Sequence, residues 1–213
     1  MLFDQPATLA PATIAEWHGI CVAALDNERA RILAAYSAGA IQSYSVPSGL
    51  LGATKNEVND YFDSCTQELD LSAVLNLVAA AEARIRLDAE IRKKQAPQCA
   101  LAGRLAALFA AADKSWGVSL YENGILDAWK DHVGRLTDLS QSDRDRLRGA
   151  IGAFKDVLKL RHWVAHGRYW TLDRSIESYP PVSVFRVVSS LYAALDEAAR
   201  LGGVPLFPCS LTA

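Results

Sequence analysis

The feature that most constrains the fold is the spacing of apolar residues, which repeats at the helical period and nowhere alternates over the length of a useful strand. Three stretches carry the clearest stripes. They are Leu147, Ala150, Ile151, Phe154, Val157, Leu158 and Leu160; Leu71, Val74, Leu75, Val78, Ile85 and Ala89; and Val184, Val187, Val188, Leu191 and Leu195. The sequence therefore predicts an all-α, single-domain bundle of antiparallel helices.

Proline, glycine and capping residues divide this pattern into helices. Thr13 and Glu16 match a capping box, as do Ser140 and Asp143, and Gly202 follows the last stripe. The expected helices cover about 13–38, 55–68, 71–95, 98–114, 122–136, 141–166 and 182–201, with a loop over 40–54. We expect one domain over residues 1–213, in which residues 1–70 form an N-terminal helical extension and residues 71–201 the core bundle.

Composition excludes several classes of protein. The formal net charge is −2 with 22% charged residues, so any nucleic acid must be bound by a local basic patch. The four cysteines form no CxxC pair, which argues against both a zinc site and a disulfide framework and favours a reducing cytosol. The first residues lack a basic leader, and no apolar run approaches the ~18 residues that span a bilayer. We expect a cytoplasmic protein without a membrane partner.

The most chemically loaded stretch is 160–170, which contains Arg161, His162 and His166. On the helical wheel, Arg161 falls near the middle of the apolar arc of the helix from 141, and His162 falls on its edge. An unpaired charge that is buried in an apolar core face destabilises the fold by about several kcal/mol or more. An acidic partner, or a wet cleft, must therefore face Arg161.

Glu82 is the candidate partner, because it lies on the apolar stripe of the helix from 71. We expect Glu82 and Arg161 to face each other inside the bundle in a bidentate contact. Two interpretations remain open: the pair orients a functional guanidinium, or it is a structural ion pair only.

Two segments resemble one known family. The run 154–170 (FKDVLKLRHWVAHGRYW), with Arg161-x4-His166 at a helix end, resembles the R-x(4–6)-H motif of HEPN domains, in particular the RiboL-PSP branch. The run 81–88 (AEARIRLD) is similar to an acidic and basic run on an earlier helix of that branch. The resemblance covers about 71–95 and 141–170. It implies an all-α ribonuclease from toxin–antitoxin or phage-defence systems.

The resemblance also implies roles for individual residues. Arg161 would stabilise charge on the phosphate, His166 would move a proton, and His162 would be a second proton carrier or a phosphate ligand. Glu82, Arg86 and Asp88 would support them, and Arg168 and Tyr169 would bind RNA at the rim of the cleft. The 2′-hydroxyl of RNA is the nucleophile, so we expect no metal and no cofactor, and products ending in a 2′,3′-cyclic phosphate and a 5′-hydroxyl.

A homodimer is expected for a geometric reason. Arg161 and His166 are about 140° apart on a helix and do not share one narrow face. Members of the family solve this by placing two motifs around one cleft, so a two-fold axis near Arg161 is expected here. An antitoxin or regulatory protein is a further expected partner.

Alternatives remain for the same residues. His162 and His166 have the i, i+4 spacing of metal ligands, but no third ligand is evident. The basic residues Arg84, Arg86, Arg92, Lys93 and Lys94 extend a phosphate-binding surface or only complement the helix dipole. A non-catalytic HEPN-like module that binds RNA, a nucleotide or a protein is the alternative function. His18 and His132 are expected to be helix-surface or core residues.

Overall fold

The computed structural model describes residues 10–38, 47–94, 99–112, 117–120, 122–165 and 179–208. Within these ranges the chain is all-α, as predicted, and contains six α-helices and no strand. The helices are α1 (Pro11–Ser37), α2 (Lys55–Lys93), α3 (Ala100–Ala110), α4 (Ile125–Gly134), α5 (Gln141–Ala165) and α6 (Pro181–Leu201). Among these helices none combines the length and the apolar character that crossing a bilayer requires.

The central element is α2, a single helix of 39 residues. At 1.5 Å per residue it is roughly 58 Å long. The prediction of two helices, 55–68 and 71–95, was wrong, because no glycine or proline interrupts Lys55–Lys93. A complete capping box, which the sequence analysis did not identify, begins the helix: Glu57 N–H donates to Oγ1 of Thr54, and Thr54 N–H donates to the Glu57 carboxylate.

The two capping boxes predicted from the sequence had different outcomes. Helix α1 begins at Pro11, a residue suited to the first helical turn, so Thr13 and Glu16 lie inside the helix and that prediction was wrong. Ser140 does cap α5, since its Oγ accepts from Asp143 N–H at 3.1 Å. The Asp143 carboxylate bonds the Ser140 hydroxyl at 2.6 Å, instead of the backbone N–H of a complete box.

Helices α1 and α2 form an antiparallel hairpin. Successive contacts show this: His18 bonds Asp70, Arg29 bonds Asp63, and Lys55 bonds Ser37. The hairpin has its own small core around Ile32, Leu50, Val58 and Phe62. Helices α5 and α6 also run antiparallel, with Arg146 near the start of α5 bonded to Glu197 near the end of α6.

The main core lies between the second half of α2 and helices α3 to α6. Of the α5 stripe, every predicted residue is buried except Ala150, which is half-buried against the core. Trp129 of α4 is fully buried at the centre and packs edge-on against His132 and Phe207. The end of α5 is therefore fixed between α2 on one side and α4 on the other.

Candidate functional site

The structure brings Arg161 of α5 to Glu82 of α2. Nε of Arg161 lies 3.7 Å from Oε2 of Glu82, and the two side chains are 29% and 20% exposed. The predicted juxtaposition is therefore confirmed. The predicted bidentate contact was wrong, because a single ion-pair contact beyond good hydrogen-bond distance joins the two groups.

Arg86 explains why the contact is single. Its Nε and Nη2 lie 3.1 and 3.0 Å from Oε1 of Glu82, one helical turn away, and its Nη1 donates to the Val118 carbonyl at 2.8 Å. Arg86 thus occupies one oxygen of the carboxylate and ties it to the 117–120 segment. Glu82 is held in place by its own helix and presents its second oxygen to Arg161.

The guanidinium of Arg161 keeps unused hydrogen-bonding capacity. Its Nε atom is buried and has no hydrogen-bond partner among the described residues. A buried donor without a partner costs on the order of 1–3 kcal/mol. The side chain as a whole is 29% exposed, so an anion can approach its accessible part, and a phosphate group has the right geometry for the planar fork of donors.

His162 lies on the other side of α5, in a groove between α4 and α5. The groove has a volume of about 390 Å³. Its lining consists of Glu122, Lys130, Gly152, Lys155, Asp156, Lys159 and His162. Two of the lysines are neutralised locally, since Lys155 pairs with Asp127 at 2.5 Å and Lys159 with Asp156 at 3.1 Å.

Lys130 is the cation of the groove that is available to a ligand. No ion pair joins it to another residue within the part of the chain that the structure describes. Its Nζ lies over Gly152, 3.7 Å from the position that a Cβ would take there. The ammonium group thus lies beside Gly152 in the groove that contains His162.

Formal charge is divided unevenly along the chain. Residues 1–70 contain three Lys and Arg against nine Asp and Glu, a charge of −6, whereas residues 71–213 contain 19 against 15, a charge of +4. The near-neutral total therefore conceals an acidic hairpin end and a basic bundle. Arg161 and the groove belong to the basic part, where an anionic ligand is favoured.

Asp88, predicted to support the site, is placed elsewhere. Its carboxylate accepts from Nε of Arg92 at 2.7 Å, and both side chains are buried. Arg92 also donates to the Leu206 carbonyl at 3.2 Å and stacks 4.7 Å from the Trp129 ring centroid. These contacts join α2 to α4 and to the segment after α6.

Several basic residues of α2 are also used inside the fold. Arg92 is 1% exposed, so it cannot belong to a phosphate-binding surface. Lys93 pairs with Glu90 at 2.6 Å and lies 4.1 Å from the Phe109 ring centroid. Burial raises the pKa of Tyr192 to about 12, against a smaller opposing effect of the Arg84 charge, which places Arg84 beside α6. Of the five basic residues proposed for a phosphate-binding surface, Arg92 is thus excluded by its burial.

Part of the predicted site lies outside the described residues. This applies to His166, Arg168 and Tyr169. Sequence analysis missed Lys130, Lys155 and Lys159. The i, i+4 spacing of the last two, followed three residues later by His162, was the one signal that could have indicated a common face.

Among the described residues, no three His, Cys, Asp or Glu side chains converge in an arrangement that could hold a metal ion.

The fold and this junction define an all-α bundle protein with a charged site where the end of α5 meets α2 and α4. Comparison of the chain with protein-family models, with curated proteins and with solved structures found no match. The case for a function therefore depends on the residues of the site.

Proposed function

We propose that the chain is a metal-independent endoribonuclease of the HEPN type that acts in the cytoplasm as a toxin or phage-defence effector. The observation that carries the proposal is the placement of Arg161 at the end of α5. Glu82 orients this guanidinium across two helices, and its buried Nε has no hydrogen-bond partner among the described residues.

The proposed reaction uses the 2′-hydroxyl of RNA as nucleophile. Its oxygen bonds to the adjacent phosphorus, its proton passes to a histidine, and the bond from phosphorus to the 5′-oxygen breaks as that oxygen receives a proton. The products are a 2′,3′-cyclic phosphate and a 5′-hydroxyl. Arg161 stabilises the additional negative charge on the phosphate oxygens.

The histidines take complementary roles in the proposal. His166, in the R-x4-H motif, is the proposed general base or acid. His162 lies in the groove with Lys130, where it is in position to hold a neighbouring phosphate or to carry the second proton. RNA would thus follow the groove between α4 and α5 towards the end of α5.

The basic charge of residues 71–213 supports this path, because the RNA backbone is attracted to this +4 part of the chain and repelled by residues 1–70, with their charge of −6. An isologous homodimer with its two-fold axis near Arg161 would place two copies of the motif around one phosphate. An antitoxin or regulatory protein would then control access to the cleft. Arg168 and Tyr169 are proposed to bind RNA at its rim.

The decisive experiment is an RNA cleavage assay in excess EDTA with the wild type, Arg161→Ala and His166→Ala. We expect wild-type cleavage with cyclic-phosphate ends and a loss of at least about 100-fold in each variant. Arg148→Ala is the matched control, because Arg148 lies on the same helix and its side chain is exposed. This variant is expected to cleave RNA at the wild-type rate.

Failure of this assay has a definite meaning. Absence of cleavage by the wild type, or full activity in both variants, would contradict the nuclease proposal. RNA binding without cleavage would favour the alternative, a non-catalytic HEPN-like module. A monomer that cleaves RNA would contradict the shared cleft while leaving the chemistry in place.

A further inference from the structure

The exposed face of the α1–α2 hairpin contains an apolar groove that is separate from the charged site. Cys21, Ala24 and Leu25 of α1 and Tyr61, Cys65 and Leu69 of α2 line a volume of about 750 Å³. Their spacings of three, four and eight residues place each set on one helical face. Trp17, four residues before Cys21, is 41% exposed and continues the α1 face.

The groove continues beyond Tyr61 towards the loop that precedes α2. Tyr61 and Ser64 also line a neighbouring depression of about 560 Å³, which includes Glu57 and Asp60. From Glu57 to Leu69 the joined groove follows twelve residue steps of α2, or roughly 18 Å at 1.5 Å per residue. That length accommodates about three turns of another helix.

The charge around the groove limits what can occupy it. The groove lies within residues 1–70, which have a formal charge of −6, and Asp60 and Glu68 line it on either side of Tyr61 and Ser64. Asp60 forms no ion pair with any residue in the described ranges. Nucleic acid and anionic lipid are repelled by such a surface.

A second copy of the chain is also disfavoured as the occupant. If two copies packed these faces together, the charge of −6 on residues 1–70 of each copy would place like charges around the interface. The complementary occupant has an apolar stripe for the floor and positive charge for the rim. A helix fits between two antiparallel helices by ridge-into-groove packing.

We infer that the α1–α2 groove binds an amphipathic helix of a partner protein, with an apolar stripe at i, i+3, i+4 and i+7 and lysine or arginine on its flanks. The inference does not depend on RNA cleavage, because the groove and the charged site share no residue. The partner class is a protein with a basic amphipathic segment, as expected of a regulator that docks on the acidic end of the molecule.

Synthetic helical peptides of about 15 residues with one leucine stripe test this directly. One peptide has lysine flanks and the other glutamate flanks, and each is titrated with the full chain by fluorescence anisotropy. We expect saturable binding of the lysine peptide, weakening with salt, and at least about tenfold weaker binding of the glutamate peptide.

Variants of the groove make the test specific. Ala24→Trp fills the floor, and the double variant Asp60→Lys, Glu68→Lys reverses the rim. We expect Ala24→Trp to weaken binding of the lysine peptide at least about tenfold. We expect the double variant to bind the glutamate peptide more tightly than the lysine peptide. Ala23→Trp is the matched control, an exposed neighbour outside the groove, and is expected to bind normally.

The cysteines provide an independent measurement. Cys21 and Cys65 line the groove, whereas Cys99 lies outside it and accepts from Ala102 N–H at the start of α3. Bound lysine peptide should slow alkylation of Cys21 and Cys65 and leave Cys99 unchanged, as followed by mass spectrometry.

Four results would overturn the inference. They are the absence of lysine-peptide binding, equal binding by wild type and Ala24→Trp, equal protection of all three cysteines, and a homodimer that Ala24→Trp dissociates. The last would assign the groove to a second copy. Circular dichroism of each variant shows that the helices are intact, and the rim variant tests the inference even if Ala24→Trp unfolds.

Discussion

Arg86 and Arg161, from different helices, share the carboxylate of Glu82. Arg86 lies 3.0 Å from Oε1 and Arg161 lies 3.7 Å from Oε2, so one negative charge is flanked by two positive charges. The shorter contact also has the support of a hydrogen bond to Val118. Glu82 is therefore the residue on which the position of Arg161 depends.

Glu82→Gln is expected to affect activity more than stability. The amide keeps the shape but no longer attracts either guanidinium, and the half-exposed contacts are worth about 1 kcal/mol. RNA cleavage should fall about tenfold or more, because Arg161 loses its orientation. Urea unfolding and initial cleavage rates measure the two effects. Glu90→Gln removes a comparable ion pair with Lys93 on the same helix, so it should cost a similar amount of stability and leave cleavage unchanged. A wild-type cleavage rate in Glu82→Gln would refute the prediction.

Lys130→Gln should weaken RNA binding, because it removes one contact between a lysine and a phosphate. For a 2′-deoxy oligonucleotide, which cannot be cleaved by this route, the slope of log affinity against log salt should decrease by about 0.7. Filter binding at several salt concentrations measures it. Lys55→Gln, on the acidic hairpin, is the control and should leave the slope unchanged. An unchanged slope for Lys130→Gln would remove the groove from the RNA path.

Asp88→Ala should destabilise the fold strongly. It leaves Arg92 buried without its carboxylate, a change that costs about 3–5 kcal/mol in comparable buried pairs. The double variant Asp88→Leu, Arg92→Met replaces both charges by apolar groups and should recover most of this loss in urea unfolding.

The double variant also tests the role that the family resemblance implies for Asp88. A folded double variant that cleaves RNA normally would make Asp88 a structural residue. A folded double variant that does not cleave RNA would support the role of Asp88 in the site.

The sequence predicted those features that depend on helical period alone. Glu82 and Arg161 interrupt two apolar stripes, and burial of the stripes forces the two charges towards each other. The α5 core residues followed from the same argument. The helix boundary near residue 70 was wrong because the apolar pattern changes there without any residue that ends a helix.

Other features depend on tertiary geometry that periodicity does not contain. The Val118 carbonyl reaches Arg86 only because the 117–120 segment crosses α2, and Lys130 meets His162 only because of the angle at which α4 packs on α5. From the sequence, Arg92 was a candidate for a phosphate-binding surface. Its burial against Trp129 required knowledge of where α4 lies.

Gly202→Ala and Gly149→Ala should have opposite effects on stability. A Cβ at 202 would lie 2.4 Å from Nε2 of His132, whose ring is buried, so the ring or the helix end must shift at a cost of about 1–3 kcal/mol. At the exposed position 149, inside α5, nothing lies within 4 Å of the added methyl group. Alanine there should stabilise by about 0.5–1 kcal/mol. Thermal unfolding of both variants tests this, and a destabilised Gly149→Ala would contradict it.

His132 should make stability fall at mildly acidic pH. Burial lowers the pKa of His132 below its ordinary 6.5, although the hydrogen bond to the Ala198 carbonyl, at 3.2 Å, opposes this. Because that carbonyl can only accept, Nε2 is the donor. Below about pH 6.5 the unfolded chain takes up a proton that the folded chain resists, so this contribution is complete above that pH and is lost as pH falls towards the lower folded pKa.

His132→Asn isolates that contribution. The variant has no titrating group at 132, so its free energy of unfolding should decrease less between about pH 7.5 and about pH 5.5 than that of the wild type, by at most about 1.4 kcal/mol per pH unit. The other three histidines, His18, His162 and His166, are present in both proteins and cancel in the difference. Urea titrations at the two pH values give the four free energies required. Parallel losses in the two proteins would show that His132 is equally easy to protonate in the folded and unfolded chain, contrary to its burial between Trp129 and Ala198.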